Sequence, residues 1–492
     1  MKKVLFTHSF FYKLDYKQWK FKQPYPPLGT LFAASLLREN NYSVSLFDTN
    51  LRDSPHEILE ALEREMPEYL VIYDDGFNYL TKMCLTNMRE AAFEMIEIAK
   101  GFGCTIVVSS SDASDHYEEY LDHGADFIVI GEAEMTLLEL LNEIQKPTPL
   151  IETVVGLAFQ NNSQTHLTGS RQVLRELDIL PLPAWDLVNI DEYRQIWIEH
   201  HGYFSLNLAT TRGCPYKCNW CAKPIYGNRY NTRSPERVVE EVELLITKHK
   251  PDHFWICDDI FGLKPGWIQS FRDLLKEKNL QIKYKIQSRV DLLLQEDTID
   301  ALAESGLETV WVGAESGSQK ILDAMDKGTK VEQIGEATKL LQQNGIKVAF
   351  FLQFGYLGET KEDIKKTKDM VLNLMPDEIG ISVSYPLPGT KFYDKVKLQL
   401  QDKANWTDSD DLDTMFSSSQ DRDFYRKLPR YIHKLYRKKR GIMKFKELLR
   451  HPLRVNYKNL RPVLATLYYI PSIVMDKLRL RKYDSFRDDN CF

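Results

Sequence analysis

The sequence predicts an α/β chain built from two successive parallel-sheet units and closed by a basic helical tail. Three observations carry this. Short β-rich runs alternate with amphipathic stretches over residues 1–146, a second β/α series fills residues 205–395, and residues 396–492 show helical, basic and aromatic patterns with no further alternation. Near-continuous apolar strands separated by helices mean parallel sheets covered on both faces. At 492 residues the chain is also too long for one ordinary domain.

In the first unit the strand-like runs are 3–10, 43–49, 69–75, 105–111 and 127–132, with helical patterns at 28–38, 55–65, 81–100, 116–123 and 134–145. Five such units predict a doubly wound, flavodoxin-like domain. Ligands of that fold lie at the carboxyl ends of the strands, here in loops beginning near Thr7, Asp74, Ser109 and Gly131. Residues 147–204 read as a linker that contains a hairpin at 153–167 and a proline-punctuated stretch at 177–187. The second unit has strand-like runs at 205–211, 253–259, 282–288, 309–315, 348–354 and 378–385. Its helices fit at 235–249, 265–278, 295–305, 317–344 (interrupted near Gly328) and 360–374. Six units predict a partial (β/α)6 TIM-type barrel with its site at the strands' C-terminal ends.

Composition excludes several classes. Hydrophobic residues make up 43% and charged residues 27%, a globular balance. Charge returns at Lys13 and Asp15, so the N-terminus reads as a buried strand and not a signal peptide. No uncharged apolar stretch approaches the length of about 20 residues that a membrane span needs, and the expected compartment is the cytoplasm. Net charge is −6, yet from Arg422 to Lys482 basic residues outnumber acidic ones roughly sixfold. Prolines at 429, 452, 462 and 471 predict short helical pieces that close the barrel mouth. The alternatives are a solvated face or contact with a membrane surface. No recognition motif accompanies the charge, so nucleic acid is not an expected partner.

Of seven cysteines, three crowd into eight residues: Cys214-Pro-Tyr-Lys-Cys218-Asn-Trp-Cys221, directly after the first barrel strand. This is the pattern of a metal site in a reducing compartment, not of a disulfide framework. Soft thiolates suit zinc or an iron–sulfur cluster. A structural zinc normally recruits four ligands. No fourth Cys or His lies close in sequence, although His200, His201 or Cys257 could approach in space. A four-iron cubane on three cysteines would leave one iron open.

Cys-x-x-x-Cys-x-aromatic-Cys in this position resembles the signature of the radical S-adenosylmethionine (SAM) family. The resemblance extends through Cys257-Asp258-Asp259, Gly313-Ala-Glu315-Ser316-Gly317, Phe354-Gly355-Tyr-Leu-Gly358-Glu359 and Tyr385-Pro386-Leu-Pro388-Gly389. It implies a 4Fe–4S cluster on Cys214, Cys218 and Cys221, with SAM chelating the open iron and an electron donor such as flavodoxin or ferredoxin. One-electron cleavage then gives a 5′-deoxyadenosyl radical. Residues expected near SAM are Trp220, Asp258, Arg289, Glu315, Ser316, Gly355 and Pro386. Arg289 could bind the methionine carboxylate or pair with Asp291 or Asp259, and Trp220 could equally pack the loop. No catalytic side chain is assigned.

The domain order resembles the cobalamin-binding branch of that family, through Pro26-Pro27-Leu28-Gly29, Ala125-Asp-Phe-Ile-Val-Ile-Gly131-Glu132 and Leu-Pro-Leu-Pro-Ala-Trp185. It implies cobalamin near Gly29, Ser109, Ser110, Gly131 and Glu132. The sequence departs from the branch in lacking Asp-x-His-x-x-Gly and in carrying Ser109-Ser110 where Gly-Gly is usual. A degenerate domain kept for packing or substrate binding is the other reading. The function implied is methylation of an unactivated carbon in a small or lipid-like substrate. The alternatives are a radical cyclase or rearrangement enzyme, and a non-catalytic iron–sulfur module.

Overall fold

The computed structural model describes residues 1–483 apart from 163, 401–402 and 452–455, so Pro452 lies outside the described residues. The N-terminal sheet contains β1 (Lys3–Thr7), β2 (Ser43–Phe47), β3 (Tyr69–Tyr73), β4 (Thr105–Ser109) and β5 (Phe127–Val129). Its order β2-β1-β3-β4-β5 is the doubly wound arrangement, and all four pairings are parallel. β3 is buried along its whole length, which is why its sequence, YLVIY, shows no polar alternation.

The hairpin expected in the linker joins this sheet. β6 (Leu157–Asn161) pairs antiparallel with β5, and β7 (Gln164–Leu167) pairs with β6. Leu157 and Ala158 are fully buried, so apolar burial draws the hairpin onto the sheet edge.

The second sheet is the six-stranded parallel array of an open (β/α)6 barrel. It is formed by β8 (Ser205–Leu208), β11 (His253–Ile256), β12 (Tyr284–Ser288), β13 (Leu307–Glu315), β14 (Lys347–Phe354) and β15 (Glu378–Val383). A two-stranded ribbon, β9 (Thr211–Arg212) with β10 (Asn231–Thr232), stands above β8. Helix Pro235–His249 illustrates the local logic. Ser234 caps it by accepting from Arg237 N, a proline occupies the first turn, and Val238, Val239, Val242 and Leu245 form its buried face.

The tail departs from expectation. Helices Arg422–Arg450 and Tyr457–Lys482 run unbroken through Pro429, Pro462 and Pro471. An interior proline forfeits one backbone hydrogen bond and costs about 3 kcal/mol. The hairpin offsets this through contact: Gly441 lies so close to its partner helix that a β-carbon there would sit 2.5 Å from Pro462 O. Nor does the hairpin cap the barrel mouth. Tyr425 packs beside Gly355 at the mouth, while Tyr436 Oη donates to the carbonyls of Pro376 and Asp377 ahead of β15. The first helix therefore runs down the barrel's flank. Residues near 405–415 cover the mouth instead, where Trp406 stacks on Tyr385 at 4.3 Å and its carbonyl accepts from Thr86 N.

Candidate active site

The cysteines sit on loop 213–230, whose neck is clamped by the β9–β10 ribbon. Gly213 enters the loop at φ +78°, and a β-carbon there would lie 2.4 Å from Arg229 O, so only glycine fits. Asp258, fully buried after β11, accepts from Thr210 N (2.7 Å) and Thr211 N (3.0 Å) and takes the Thr210 hydroxyl. Burial pushes its carboxyl up to about 6. Asp258 thus fixes the chain entering the loop.

Asn219, between the second and third cysteines, ties the loop to three neighbours. Its Nδ2 donates to Ala324 O (2.7 Å), its Oδ1 accepts from Tyr356 Oη (2.6 Å), and its carbonyl accepts from Phe392 N (2.9 Å). Arg289 holds the opposite side. Its guanidinium lies 3.7 Å from the Tyr216 ring centre, pairs with both Asp291 oxygens at 3.0 Å and donates to Lys327 O (2.8 Å). The ion-pair role foreseen for Arg289 is therefore formed. Lys327 Nζ bonds Glu315 Oε1 at 2.8 Å, and Glu315 ends β13 in the left-handed region (φ +54°) beside a register shift. A non-glycine residue held there carries strain of order 1–3 kcal/mol.

All three cysteines are free and half-buried. Burial pushes Cys214 up and Cys221 up to about 12, with mutual repulsion among the thiols and Asp259 adding to it. Among the described residues no three His, Cys, Asp or Glu side chains converge as a single metal ion requires. The expected fourth zinc ligands are elsewhere. Cys257 is buried with its Sγ directed at Leu208 O, and His201 bonds the carbonyls of Phe21 and Lys22 before β8, at the opposite end of the barrel.

Other residues expected at SAM divide. Trp220 packs against the small core around Ile321 and Phe392, and its buried indole N–H has no partner, leaving a donor for a bound group. Gln353 Oε1 is likewise buried and unpartnered near the end of β14. Ser316 is fully buried and bonded to Thr367, Gly355 N donates to Glu359 Oε2 (2.7 Å) under Thr414 and Tyr425, and Pro386 is buried. All three thus make their contacts within the chain.

Strand alternation turns Trp255, Lys285, Gln287, Trp311 and Phe351 to the face away from the covering helices. Trp311 stacks on Phe351 at 4.6 Å, Tyr25 lies against Trp255 at 4.8 Å, and the Lys285 ammonium sits 5.2 Å from both of the latter rings. The lumen thus combines aromatic faces with one cation.

Residues 208–371 match the radical SAM superfamily. The barrel thus carries a radical SAM domain, which spans a third of the chain. The chain is 26% identical over 375 residues to an uncharacterised methyltransferase of Pyrococcus horikoshii, covering 75% of this chain and 78% of that one. It is 28% identical to the anaerobic magnesium-protoporphyrin IX monomethyl ester cyclase of Rubrivivax gelatinosus, over 78% and 69% of the two chains. The fold is shared with the cobalamin-dependent SAM radical enzyme OxsB solved with aqua-cobalamin (TM-score 0.73, 18% identity, 100% of this chain and 74% of that one). It is also shared with the radical SAM methyltransferase TsrM of Kitasatospora setae (TM-score 0.66, 18% identity, 81% and 78%).

The residues expected near cobalamin lie where the two sheets meet and bond largely within the chain. Gly29 N donates to Asp75 Oδ1 (3.0 Å), and Asp75 with Gly76 fills the space a β-carbon would take. Ser109 O accepts from Asp74 N, and Ser110 Oγ accepts from Ala113 N (2.8 Å), capping a short helix. Glu132 accepts from Leu174 N and, with Glu134, clasps Arg212 at 2.6 Å in a fully buried triad. Of the five, Gly131 alone faces open space, with only Ile225 O within 4 Å of its β-carbon position. Arg212, two residues before Cys214, latches the barrel to the N-terminal sheet. Sequence reasoning missed Gly213, Asn219 and Arg212, although all three adjoin or interrupt the cysteine motif.

Proposed function

We propose that this enzyme cleaves SAM at a 4Fe–4S cluster held by Cys214, Cys218 and Cys221 and directs the resulting radical at a molecule bound in the barrel lumen. The loop supports this reading most directly: three free thiols at the strand ends, on a loop pinned by Asn219 and Arg289. When bound, the cluster and SAM supply a one-electron cleavage of the sulfonium C–S bond, giving a 5′-deoxyadenosyl radical. The chain's own residues do the rest. The thiolates bind, and Asp258, Asn219 and Arg289 keep the loop in one place. The Trp220 N–H offers a donor to the bound nucleoside. Trp311 and Phe351 offer stacked aromatic faces to a bound molecule, and Lys285 would orient an acidic group of a small or lipid-like substrate.

The finer reading is methylation of carbon with cobalamin as second cofactor. The shared architecture with OxsB and TsrM and the methyltransferase relative support it. The cyclase relatives favour ring closure as a second reading. A cytoplasmic setting with flavodoxin or ferredoxin as donor suits a protein whose six described cysteines are all free. Anaerobic reconstitution with iron, sulfide and hydroxocobalamin tests these readings. The expected result is about four irons per chain, bound cobalamin, and 5′-deoxyadenosine on reduction. S-adenosylhomocysteine formed alongside supports methylation. Cleavage without cobalamin or S-adenosylhomocysteine would remove the methylation reading and leave cyclisation.

A further inference from the structure

We propose that the C-terminal helical hairpin is a docking surface for an anionic lipid bilayer, on which this enzyme lies without crossing it. Helix Tyr457–Lys482 buries one face against helix Arg422–Arg450, through contacts such as Lys434 to Asp476. Its other face is apolar as well. Leu464, Leu467, Tyr468, Val474, Met475 and Leu478 recur at spacings of three and four, and each is at least 51% exposed. Soluble surfaces rarely present so continuous an apolar stripe without a partner.

Charge identifies the occupant. Between residues 422 and 482 there are nineteen lysines and arginines against three acids. Those acids are already engaged: Asp423 with Lys427, Glu447 with Lys444 and Asp476 with Lys434. Arg426, Arg430, Arg437 and Arg440 stand exposed along the first helix, and Arg479, Arg481 and Lys482 end the second. An apolar stripe flanked by basic side chains matches acyl chains beneath anionic headgroups. The same charge opposes a second copy of the chain, because self-association would bring two strongly basic hairpins together. Among the described residues no helix is long and apolar enough to cross a membrane, so the hairpin lies in the interface.

The test is flotation of the full-length enzyme with vesicles of phosphatidylcholine alone or mixed with phosphatidylglycerol. Partitioning onto the anionic vesicles should be at least about tenfold stronger and should weaken as salt rises. The exposed triple variant Leu467→Glu, Val474→Glu, Leu478→Glu should lose about tenfold in partitioning, while its melting temperature and iron content stay unchanged. No flotation with phosphatidylglycerol, or undiminished flotation of the triple variant, overturns the proposal. So does a concentration-dependent dimer that the same variant dissolves, which would make the stripe a contact between copies. Binding of RNA or DNA with no flotation would assign the charge to nucleic acid and overturn it equally.

Discussion

Tyr356 donates its hydroxyl to Asn219 Oδ1 at 2.6 Å, joining the turn after β14 to the middle of the cysteine loop across 137 positions of sequence. Asn219 is only 4% exposed, so water has little access to replace the bond. Removing the donor strands a buried acceptor, which costs about 1–3 kcal/mol. Tyr356→Phe should keep the fold but loosen the loop. Reconstituted variant should cleave SAM roughly tenfold more slowly, with a broadened cluster EPR signal. Asn219→Ala, which loses bonds to Ala324 and Tyr356 together, should do worse.

Gly213 is the tightest point of the loop. Alanine there meets Arg229 O at 2.4 Å and must also adopt φ +78°. Gly213→Ala should therefore cost about 2 kcal/mol or more and abolish iron retention. Far-ultraviolet circular dichroism should remain that of the parent, because the strain falls on one loop. An iron content equal to wild type would contradict this account of the loop.

Arg212 shows what its buried pairing with Glu132 and Glu134 is worth only when the pairing is broken. Arg212→Met leaves two carboxylates in the interior without their counterion, a loss of about 3–5 kcal/mol. The triple change Arg212→Met, Glu132→Gln, Glu134→Gln should recover most of it, since no buried charge then remains. Urea unfolding of the three proteins measures both steps.

Glu359 predicts a pH dependence. It is fully buried, accepts from Gly355 N, and burial pushes its carboxyl from 4.5 up to about 8, with Asp363 raising it further and Lys320 opposing. In the folded chain it keeps its proton up to that pH, whereas the unfolded chain releases it near the ordinary value. Its contribution is thus fully present below 4.5 and is lost as pH rises toward about 8. Glu359→Gln should flatten the fall in melting temperature across that window, read by thermal melts at several pH values.

Much of this architecture could be read in advance because the strands are fully buried and so appear as unbroken apolar runs. Helix Pro235–His249 falls on its expected bounds because cap, first-turn proline and apolar face agree. The tail misled for a local reason: a proline's cost is written in the sequence, whereas the helix partner that offsets it, as at Gly441 against Pro462, is set by tertiary contact. The hairpin at 157–167 looked like a linker because nothing local shows that β5 offers it an edge. The cysteines were legible from spacing. Asn219 was not, since a polar residue on a loop looks ordinary until Ala324, Tyr356 and Phe392 arrive from elsewhere in the chain. Residues named from likeness alone differ in their surroundings. Trp220 keeps a free donor, while Ser316 bonds Thr367 and Gly355 lies under Thr414 and Tyr425.

The most direct measurement is dithionite-driven SAM cleavage by anaerobically reconstituted enzyme beside its Cys214→Ala, Cys218→Ala and Cys221→Ala variants. This account predicts 5′-deoxyadenosine from the parent, and loss of both iron and product in each variant. Zinc in place of iron with no cleavage, or cleavage that survives any of the three substitutions, would contradict it.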